Sequence, residues 1–547
     1  MTHGTLLRGA DILARTLEQI GVDRVFSVSG NHIMPVYDAL TETSIELIHC
    51  RHEAACVHMA DAYARITGQV GIALVTGGPG HTNAAAALYT ALAAEAPMLL
   101  LSGHASTKEL GRGAFQELRQ AEMVRPITKA AWTLDASSAI GHEVARAAQI
   151  ARSGRSGPVH LSLPVDLLEE RHEDRAELWP SPAVAERVPV PLVKSALDAI
   201  GASLARAERP IFVCGPTLTV AGRNRMAELE KVTATPVIGM ESPRGINDPA
   251  LGALPDVFAR SDLIILIGKP LDFTLRFGDA PFVPDTCSFI VIDPDDTELK
   301  RIADEKGDRV LVASAADSSS AIEALIDTLA TSAARGSDWL AEAREALAFR
   351  SPATRATSPA GMEHVHPIEL CAALQSFLDA YPEATLVCDG GEIGQWPQAK
   401  VRARHRLING VAGSIGSALP YALAVKCARP EHPVVAVMGD GTFGFHMAEI
   451  DTAVRHRLPV IVVIGNDARW NAEYQIQLRE YGAARAQYCE LLPSRYDKVA
   501  EALGAHGEHV TRAADLDKAL QRAAVANRPA CINVKIASVA APNAKRP

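Results

Sequence analysis

The stretch PVVAVMGDGTFGFHMAEIDTAVRHRLPVIVVIGND, residues 433–467, decides the fold. Its two apolar runs predict buried strands ending at Met438 and Asn466, and the amphipathic segment between them predicts a helix to about His456. A tight turn, Gly439-Asp440-Gly441, joins the first strand to that helix. Because strands joined through a helix run parallel, both strands end at the carboxyl edge of one sheet, where ligands bind. The stretch therefore predicts an α/β fold with a ligand site at this turn.

The same alternation of apolar runs and Ala-rich helical stretches extends outward over the rest of the chain. It predicts three successive parallel-sheet domains with helices on both faces, at residues 1–180, 190–345 and 360–547. Polar stretches at residues 169–191 and 350–367 separate them. The predicted strands are VFSV, IELIHC, GIALVT, PMLLLSG and GPVHLSL in the first domain, PIFVCG, TPVIGM, LIILIG and SFIVID in the second, and ATLVCDG, PVVAVMGD, PVIVVIGN and ACINVKIA in the third.

The composition excludes several classes of protein. A chain of 547 residues, with 48% hydrophobic and 22% charged residues, is typical of a globular protein with more than one core. The net charge of -10 argues against a nucleic-acid partner, which would require a basic face. The nine cysteines include no C-x-x-C pair, which favours buried thiols. The most apolar runs are interrupted before the roughly 20 residues of a membrane span, and no signal-peptide block is present, so we expect a cytoplasmic protein.

The turn at residues 439–441 has the chemistry of a diphosphate site that includes a cation. Gly439 and Gly441 allow close backbone approach, and the helix that follows offers free N–H groups to an anion. A bare pyrophosphate would be repelled by the carboxylate of Asp440, and a divalent cation removes that conflict. Mg²⁺ prefers oxygen ligands, which the side chains of Asp440 and Asn466 and the main-chain carbonyl of Ala468 provide.

Two other interpretations of this turn remain open at the sequence level. Gly439, Gly441 and Gly444 also satisfy G-x-G-x-x-G, with the acidic Asp467 after the next strand, which would indicate a nicotinamide-dependent oxidoreductase. The simplest alternative is an ordinary Asp-Gly turn without a ligand.

The spacing of this region resembles the fingerprint of thiamine-diphosphate-dependent enzymes. In that superfamily G-D-G is followed by a pair of asparagines, and here Asn466 follows after 24 intervening residues. The chain departs from the pattern at Gly465, the first position of the pair. The resemblance implies thiamine diphosphate and Mg²⁺ as cofactors, with Asp440, Asn466 and Ala468 as metal ligands and with Gly439, Gly441 and Thr442 at the diphosphate.

The segment CRHEAACVHMADAYA, which begins at residue 50, resembles the R-H-E-x-x-A segment of the same superfamily. The resemblance implies that Glu53 hydrogen-bonds the pyrimidine ring of the cofactor and favours the imino form that activates the thiazolium. We expect Glu53 to open a helix and to be buried against apolar neighbours. The alternative is that the Arg-His-Glu cluster only caps a helix.

Three further segments extend the likeness over nearly the whole chain. VTGGPGHTNAAAAL resembles the GPG-x-x-N turn, here Gly78, Pro79, Gly80 and Asn83, which implies cofactor contacts by Gly78, Pro79 and Asn83. GAFQELRQAEMVRPITK resembles the segment that brings a glutamine, here Gln116, into the active site. NGVAGSIGSALP matches the stretch that supports the thiazolium, with Ile415 as the supporting residue and Ser414 beside it.

Within the superfamily, the turn FSVSGNHIMP is similar to benzaldehyde lyase and to a subgroup of 2-hydroxyacyl-CoA lyases, because it contains His32. This implies a carbon–carbon lyase or carboligase that acts on 2-hydroxy ketones, 2-oxo acids or 2-hydroxyacyl thioesters through an enamine. His32 is the candidate proton relay, since imidazole titrates near neutrality, and Gln116 is the candidate oxyanion contact. A surface histidine is the alternative for His32.

Other properties follow from the resemblance alone. An acetolactate-synthase-type condensation of 2-oxo acids is the alternative activity, and a non-catalytic relative is a further one. Relatives bind FAD, ADP or nothing in the middle domain, so any of these is compatible with the sequence. Because Glu53 and Asp440 lie in different domains, the family arrangement implies a homodimer or homotetramer with active sites at subunit interfaces.

Overall fold

The computed structural model describes residues 6–216, 220–330, 338–350 and 364–542. It divides into two units, residues 1–188 and 189–547, and the second unit contains two of the three large sheets. The domain boundaries near residues 180–190 and 345–360 stay predictions, and most of the polar stretch 350–367 lies outside the described residues. No helix within the described ranges combines the length and the apolar character needed to cross a membrane.

The first unit is built on a six-stranded parallel sheet with the order β3-β2-β4-β5-β7-β6. A separate antiparallel pair, β1 with β8, joins the two ends of this unit and was not predicted. The strands are β1 Leu6–Arg8, β2 Arg24–Ser27, β3 Glu46–His49, β4 Gly71–Val75, β5 Met98–His104, β6 Ala130–Thr133, β7 Pro158–Pro164 and β8 Arg171–Glu173. The helices are α1 Gly9–Gln19, α2 Met34–Leu40, α3 Glu53–Thr67, α4 Pro79–Ala93, α5 Gln120–Val124, α6 Ile140–Arg152 and α7 Val165–Glu169.

The second unit begins with a five-stranded parallel sheet with the order β10-β9-β11-β12-β13. Side chains alternate between its faces: Ile264 and Leu266 belong to one apolar core, and Ile265 and Ile267 belong to another. Both faces are therefore covered, as a parallel sheet requires. The strands are β9 Pro210–Cys214, β10 Val237–Gly239, β11 Leu263–Ile267, β12 Ser288–Ile292 and β13 Val310–Ser314. The helices are α8 Lys194–Arg206, α9 Val220–Thr233, α10 Leu254–Phe258, α11 Asp296–Lys306, α12 Ser318–Leu329 and α13 Asp338–Ala348.

The last sheet has six parallel strands in the order β15-β14-β16-β17-β19-β18. Gly439 pairs with Gly465 in register, so β16 and β17 end side by side at the carboxyl edge, next to the end of β14. The strands are β14 Thr385–Cys388, β15 His405–Ile408, β16 Val434–Gly439, β17 Ile461–Asn466, β18 His506–Val510 and β19 Ala530–Lys535. The helices are α14 Pro367–Ala380, α15 Gly391–Lys400, α16 Ala418–Ala428, α17 Asp440–His446, α18 Glu449–Arg455, α19 Asn471–Tyr481, α20 Tyr496–Ala502 and α21 Leu516–Val525.

This architecture confirms the predicted α/β fold with three parallel sheets. One prediction about an element was wrong, because the single helix expected between Asp440 and about His456 is two short helices, α17 and α18, separated at Met447 and Ala448. In the three large sheets four strands were missed, and each is an edge strand of its sheet: β6, β13, β15 and β18.

Candidate active site

The turn after β16 is tightly built around Thr442. The main-chain N–H of Gly439 donates to Thr442 Oγ1 at 3.1 Å, and the same hydroxyl donates back to the Gly439 carbonyl at 3.1 Å. This reciprocal capping fixes the start of α17 and the position of Asp440 within it. Thr442 thus shapes the turn through its own side chain.

Only one of the three glycines in the G-x-G-x-x-G pattern needs to be glycine. A Cβ on Gly441 would lie 2.8 Å from the ring of Trp470, whereas one on Gly439 would make ordinary contacts at 3.5 Å or more. A Cβ on Gly444 would have no heavy atom within 4 Å. In a dinucleotide fingerprint the third glycine permits close packing of helix on strand. The open space at Gly444 therefore argues against the oxidoreductase alternative.

Asp440 is a buried carboxylate, and within the described residues one of its two oxygens is unpaired. The whole residue is 1% exposed, and the side-chain oxygen Oδ2 has no hydrogen-bond partner among the described residues. Burial raises the pKa of Asp440 to about 6, against the opposite effect of nearby backbone N–H groups that include those of Ala468 and Arg469. An unpaired buried carboxylate oxygen is costly, and a bound cation would offset that cost. Asp440 therefore fits the predicted role of metal ligand.

Asn466 turns its amide oxygen toward the same loop. Its Nδ2 donates to the Ser494 carbonyl and to Asn533 Oδ1, each at 3.0 Å, which assigns Oδ1 to the opposite side. That oxygen accepts from the N–H of Ala468 at 3.2 Å, the backbone group that also acts on Asp440. The two predicted ligands are thus connected through one backbone group, the N–H of Ala468.

The third predicted ligand, the Ala468 carbonyl, already accepts a hydrogen bond from the Leu491 N–H at 2.7 Å. A carbonyl oxygen has a second lone pair, so this bond leaves one site for a cation. Within the described residues no group of three His, Cys, Asp or Glu side chains could hold a metal. The donor set here is instead one carboxylate, one amide and one backbone oxygen, which suits Mg²⁺ completed by phosphate oxygens.

A cleft with a volume of about 200 Å³ opens beside this turn. It brings Ile415 together with the turn, as predicted, whereas Ser414, Asn466 and Ala468 are not among its lining residues. Its lining residues are Arg244, Gly390, Gly391, Glu392, Ile393, Gln395, Gly413, Ile415, Gly439, Asp440, Gly441, Thr442, Gly465, Asp467, Arg469, Trp470, Asn471, Ala472 and Glu473. Burial also raises the pKa of Asp467 to about 7, and the charge of Asp440 adds to that effect.

The loop that carries Ile415 is held by Asp389, a residue that the sequence did not single out. The Gly416 N–H donates to both carboxylate oxygens of Asp389 at 3.0 Å, and the Ser414 carbonyl accepts from Asn409 Nδ2 at 2.6 Å. Burial raises the pKa of Asp389 to about 6. A Cβ on Gly390 would lie 2.7 Å from Ile415 Cγ2, so the loop packs closely on the end of β14.

In the first unit, Glu53 opens α3 as predicted, but it does not cap the helix. His52 is the N-cap, because its Nδ1 accepts from the Ala54 N–H at 3.1 Å. Glu53 Oε2 instead accepts from Asn83 Nδ2 at 3.0 Å, and its Oε1 lies 3.5 Å from where a Cβ on Gly80 would be. Glu53 is half-buried, so the expectation that it is buried against apolar neighbours was wrong. The structure therefore brings Glu53 to the N-terminal end of α4.

His32 and Gln116 lie at the same turn. His32 is 7% exposed, which contradicts the surface-histidine alternative, and its Nδ1 lies 3.3 Å from Thr76 Oγ1. Burial lowers the pKa of His32, so the neutral imidazole is favoured. Gly78, which precedes Pro79 at the start of α4, has a φ of 56°, and a Cβ there would lie 2.8 Å from the Cβ and the carbonyl oxygen of Gln116.

Sequence reasoning also missed Gln120, whose buried amide donates to and accepts from three groups around this turn. No motif marked it, since the family likeness pointed to Gln116. The only sequence signal was its place in the same segment, four residues after Gln116.

Two family models match the two regions of the chain in which these sites lie. Residues 7–123 match the family model described as thiamine pyrophosphate enzyme, N-terminal TPP binding domain, and residues 389–534 match the corresponding C-terminal TPP binding domain. The two matched ranges contain Glu53 and Asp440, respectively. The oxidoreductase alternative gains no support from these matches.

Two groups of relatives are similar over nearly the whole chain. The acetolactate synthase large subunit of Mycobacterium tuberculosis is 32% identical over 539 residues, which cover 96% of this chain and 94% of that one. The 2-hydroxyacyl-CoA lyase 2 of Homo sapiens is 30% identical, over 92% of this chain and 85% of that one. Acetolactate synthase isozyme 3 large subunit of Escherichia coli is 30% identical, over 95% and 92%. The chain belongs to the thiamine pyrophosphate enzyme family.

Proposed function

We propose that this protein is a thiamine-diphosphate- and Mg²⁺-dependent carbon–carbon lyase or carboligase that acts on 2-hydroxy ketones, 2-oxo acids or 2-hydroxyacyl thioesters. The observation that carries the proposal is the unpaired, buried oxygen of Asp440 in a cleft that also contains Ile415. A carboxylate left in this state suits a cation that bridges to phosphate oxygens. Membership of the family supports the same cofactor.

At the diphosphate end, Asp440, Asn466 and the Ala468 carbonyl would hold Mg²⁺. Gly441 and Thr442 would lie against the diphosphate, and Ile415 would support the thiazolium with an apolar side chain. When bound, thiamine diphosphate supplies an electron sink next to the carbonyl carbon of the substrate. The protein contributes the orientation of that group and the charges around it.

In the first unit, Glu53 would hold a proton at the pyrimidine ring. The hydrogen bond from Asn83 fixes one of its oxygens and leaves the other, Oε1, beside Gly80 at the turn. His32, which burial keeps neutral, would move a proton to or from substrate oxygen. Gln116 would donate a hydrogen bond to the same oxygen through its amide.

The relatives point to two substrate classes. Acetolactate synthases and 2-hydroxyacyl-CoA lyases are both similar to the chain over more than nine-tenths of its length. His32 in the substrate turn favours the lyase, and an acetolactate-synthase-type condensation is the second candidate. The narrower likeness to benzaldehyde lyase, FAD or ADP in the middle domain, the dimeric or tetrameric state and the cytoplasmic location stay predictions.

The test is a screen of donors and acceptors with purified protein that has been stripped of cofactor. Pyruvate, benzoin and a 2-hydroxyacyl-CoA are each incubated with thiamine diphosphate and Mg²⁺, alone and with an aldehyde acceptor, and products are identified by mass. We expect turnover of at least one donor only when both cofactors are present. Cofactor binding without turnover of any donor would support the non-catalytic alternative, and turnover without thiamine diphosphate would refute the proposal.

A further inference from the structure

The side chain of Gln120 makes hydrogen bonds to three separate chain segments in the first unit. It is 1% exposed. Its Oε1 accepts from the N–H of Gly78 at 2.9 Å, and its Nε2 donates to the Gly103 carbonyl at 3.2 Å and to Ser162 Oγ at 3.1 Å. Gly78 follows β4, Gly103 lies near the end of β5 and Ser162 lies in β7, so one amide connects three neighbouring strands.

The direction of every hydrogen bond in this network is determined. His160 Nδ1 lies 3.0 Å from the Leu100 carbonyl, which only accepts, so Nδ1 carries the hydrogen. Burial lowers the pKa of His160 well below its usual value, so the ring is neutral and Nε2 accepts, from the Ser162 hydroxyl at 2.9 Å. Ser162 Oγ is then free to accept from Gln120 Nε2, which directs Gln120 Oε1 at Gly78.

Gly78, at the end of this network, controls the position of the turn that lies against the candidate catalytic residues. Gly78 is the N-cap of α4, and the same helix carries Asn83, which donates to Glu53 Oε2. The backbone of Gln116 packs directly on Gly78. A shift of Gly78 would therefore move Asn83, which is the partner of Glu53, and would move Gln116 at the same time.

From this geometry we infer that Gln120 is a positioning residue for Glu53, which it acts on through Gly78 and α4. The catalytic part of this inference rests on the proposed function. The role requires an amide, since one end of the side chain must accept a hydrogen bond from Gly78 and the other end must donate two, to Gly103 and Ser162. Leucine would leave three buried polar groups without their partner. An ionised carboxylate would accept from Gly78 but would face the Gly103 carbonyl without a hydrogen to donate.

The test compares Gln120→Glu and Gln120→Leu with the wild type and with Gln19→Glu, which makes the same change on the exposed side of α1. A carboxyl buried at position 120 should have a raised pKa, so it is protonated at low pH, and its single O–H can then replace one of the two hydrogen bonds that the amide donates. As pH rises it ionises and the network breaks. We expect kcat of Gln120→Glu to fall about tenfold or more relative to wild type between pH 6 and pH 8, with KM for the donor nearly unchanged.

Hydrogen exchange gives a readout that does not depend on activity. Backbone amides at residues 77–82 should exchange faster in Gln120→Leu than in the wild type. In Gln120→Glu at pH 8 they should also exchange faster, by more than the intrinsic effect of pH on exchange explains. In Gln19→Glu they should exchange at the wild-type rate. If Gln120→Leu does not fold, Gln120→Glu at pH 8 replaces it, with the same variant at pH 6 as its reference. Wild-type exchange at residues 77–82 together with a pH profile of kcat parallel to wild type in Gln120→Glu would overturn the inference. Faster exchange combined with full activity of Glu53→Gln would refute the proposed function and leave the structural role of Gln120 intact.

Discussion

The carboxylate of Glu53 has one fixed oxygen, which accepts from Asn83, and a second oxygen beside Gly80. We expect Glu53→Gln to abolish turnover, because an amide cannot hold the proton that the pyrimidine ring exchanges. The affinity for thiamine diphosphate should stay within about tenfold, since most binding groups are elsewhere. Steady-state kinetics and calorimetric titration of the cofactor measure the two effects. Turnover at the wild-type rate would remove Glu53 from the mechanism.

Asp440 should make cofactor binding depend on pH. A metal ligand must be deprotonated, and burial raises the pKa of this carboxylate to about 6 in the absence of a cation. The apparent affinity for Mg²⁺ and thiamine diphosphate should therefore fall as pH drops below about 6, by up to about tenfold per pH unit. Calorimetric titration between pH 5 and pH 8 measures this.

The matched variants isolate the role of that carboxylate. Asp440→Asn should bind the cofactors weakly at every pH and should lose the dependence near pH 6, whereas Asp517→Asn, on the exposed face of α21, should behave as wild type. An Asp440→Asn protein with wild-type affinity for Mg²⁺ would show that another group holds the cation.

At the scale of elements, the two glycines of α17 offer a controlled comparison. Gly441→Ala should weaken cofactor binding and displace Trp470, because the added Cβ would lie 2.8 Å from the indole ring. Gly444→Ala, in the same helix, meets open space and should be tolerated or slightly stabilising, by about 0.5–1 kcal/mol, through helix propensity. Tryptophan fluorescence, cofactor titration and thermal unfolding of both variants provide the measurements. Equal effects of the two substitutions would contradict this account.

In the three large sheets, strand prediction succeeded at every central strand and at the edge strands β3 and β10, and it failed at the other four edges. β11, β12 and β16 are almost entirely buried on both faces, and their sequences are continuous apolar runs. The four missed strands have half-exposed positions, and β18 reads HGEHV. An edge strand has one neighbour and borders solvent, so polar residues are tolerated there and the apolar pattern is lost.

At the scale of the whole molecule, Glu53 belongs to the first unit and Asp440 to the second. If active sites are shared between subunits, mixing inactive Glu53→Gln with inactive Asp440→Ala should restore activity. A hybrid dimer would contain one wild-type site and one doubly mutated site, so the purified hybrid should have about half of wild-type activity and a randomly assorted mixture about a quarter. Co-expression with two affinity tags, followed by assay of the hybrid, measures this. A hybrid without activity would place both residues of each site in one subunit.

The sequence by itself determined the α/β class, the three parallel sheets and the family, because burial on both faces of a strand and the composition of a turn are local properties of the chain. It also predicted Glu53 and Asp440 as site residues through short motifs. Only the tertiary structure decided which groups meet these residues. The amide of Gln120 reaches Gly78 across 42 positions, and Asn466 reaches Asn533 across 67. Such contacts depend on the order of strands within a sheet, and local hydrophobic patterning does not encode that order.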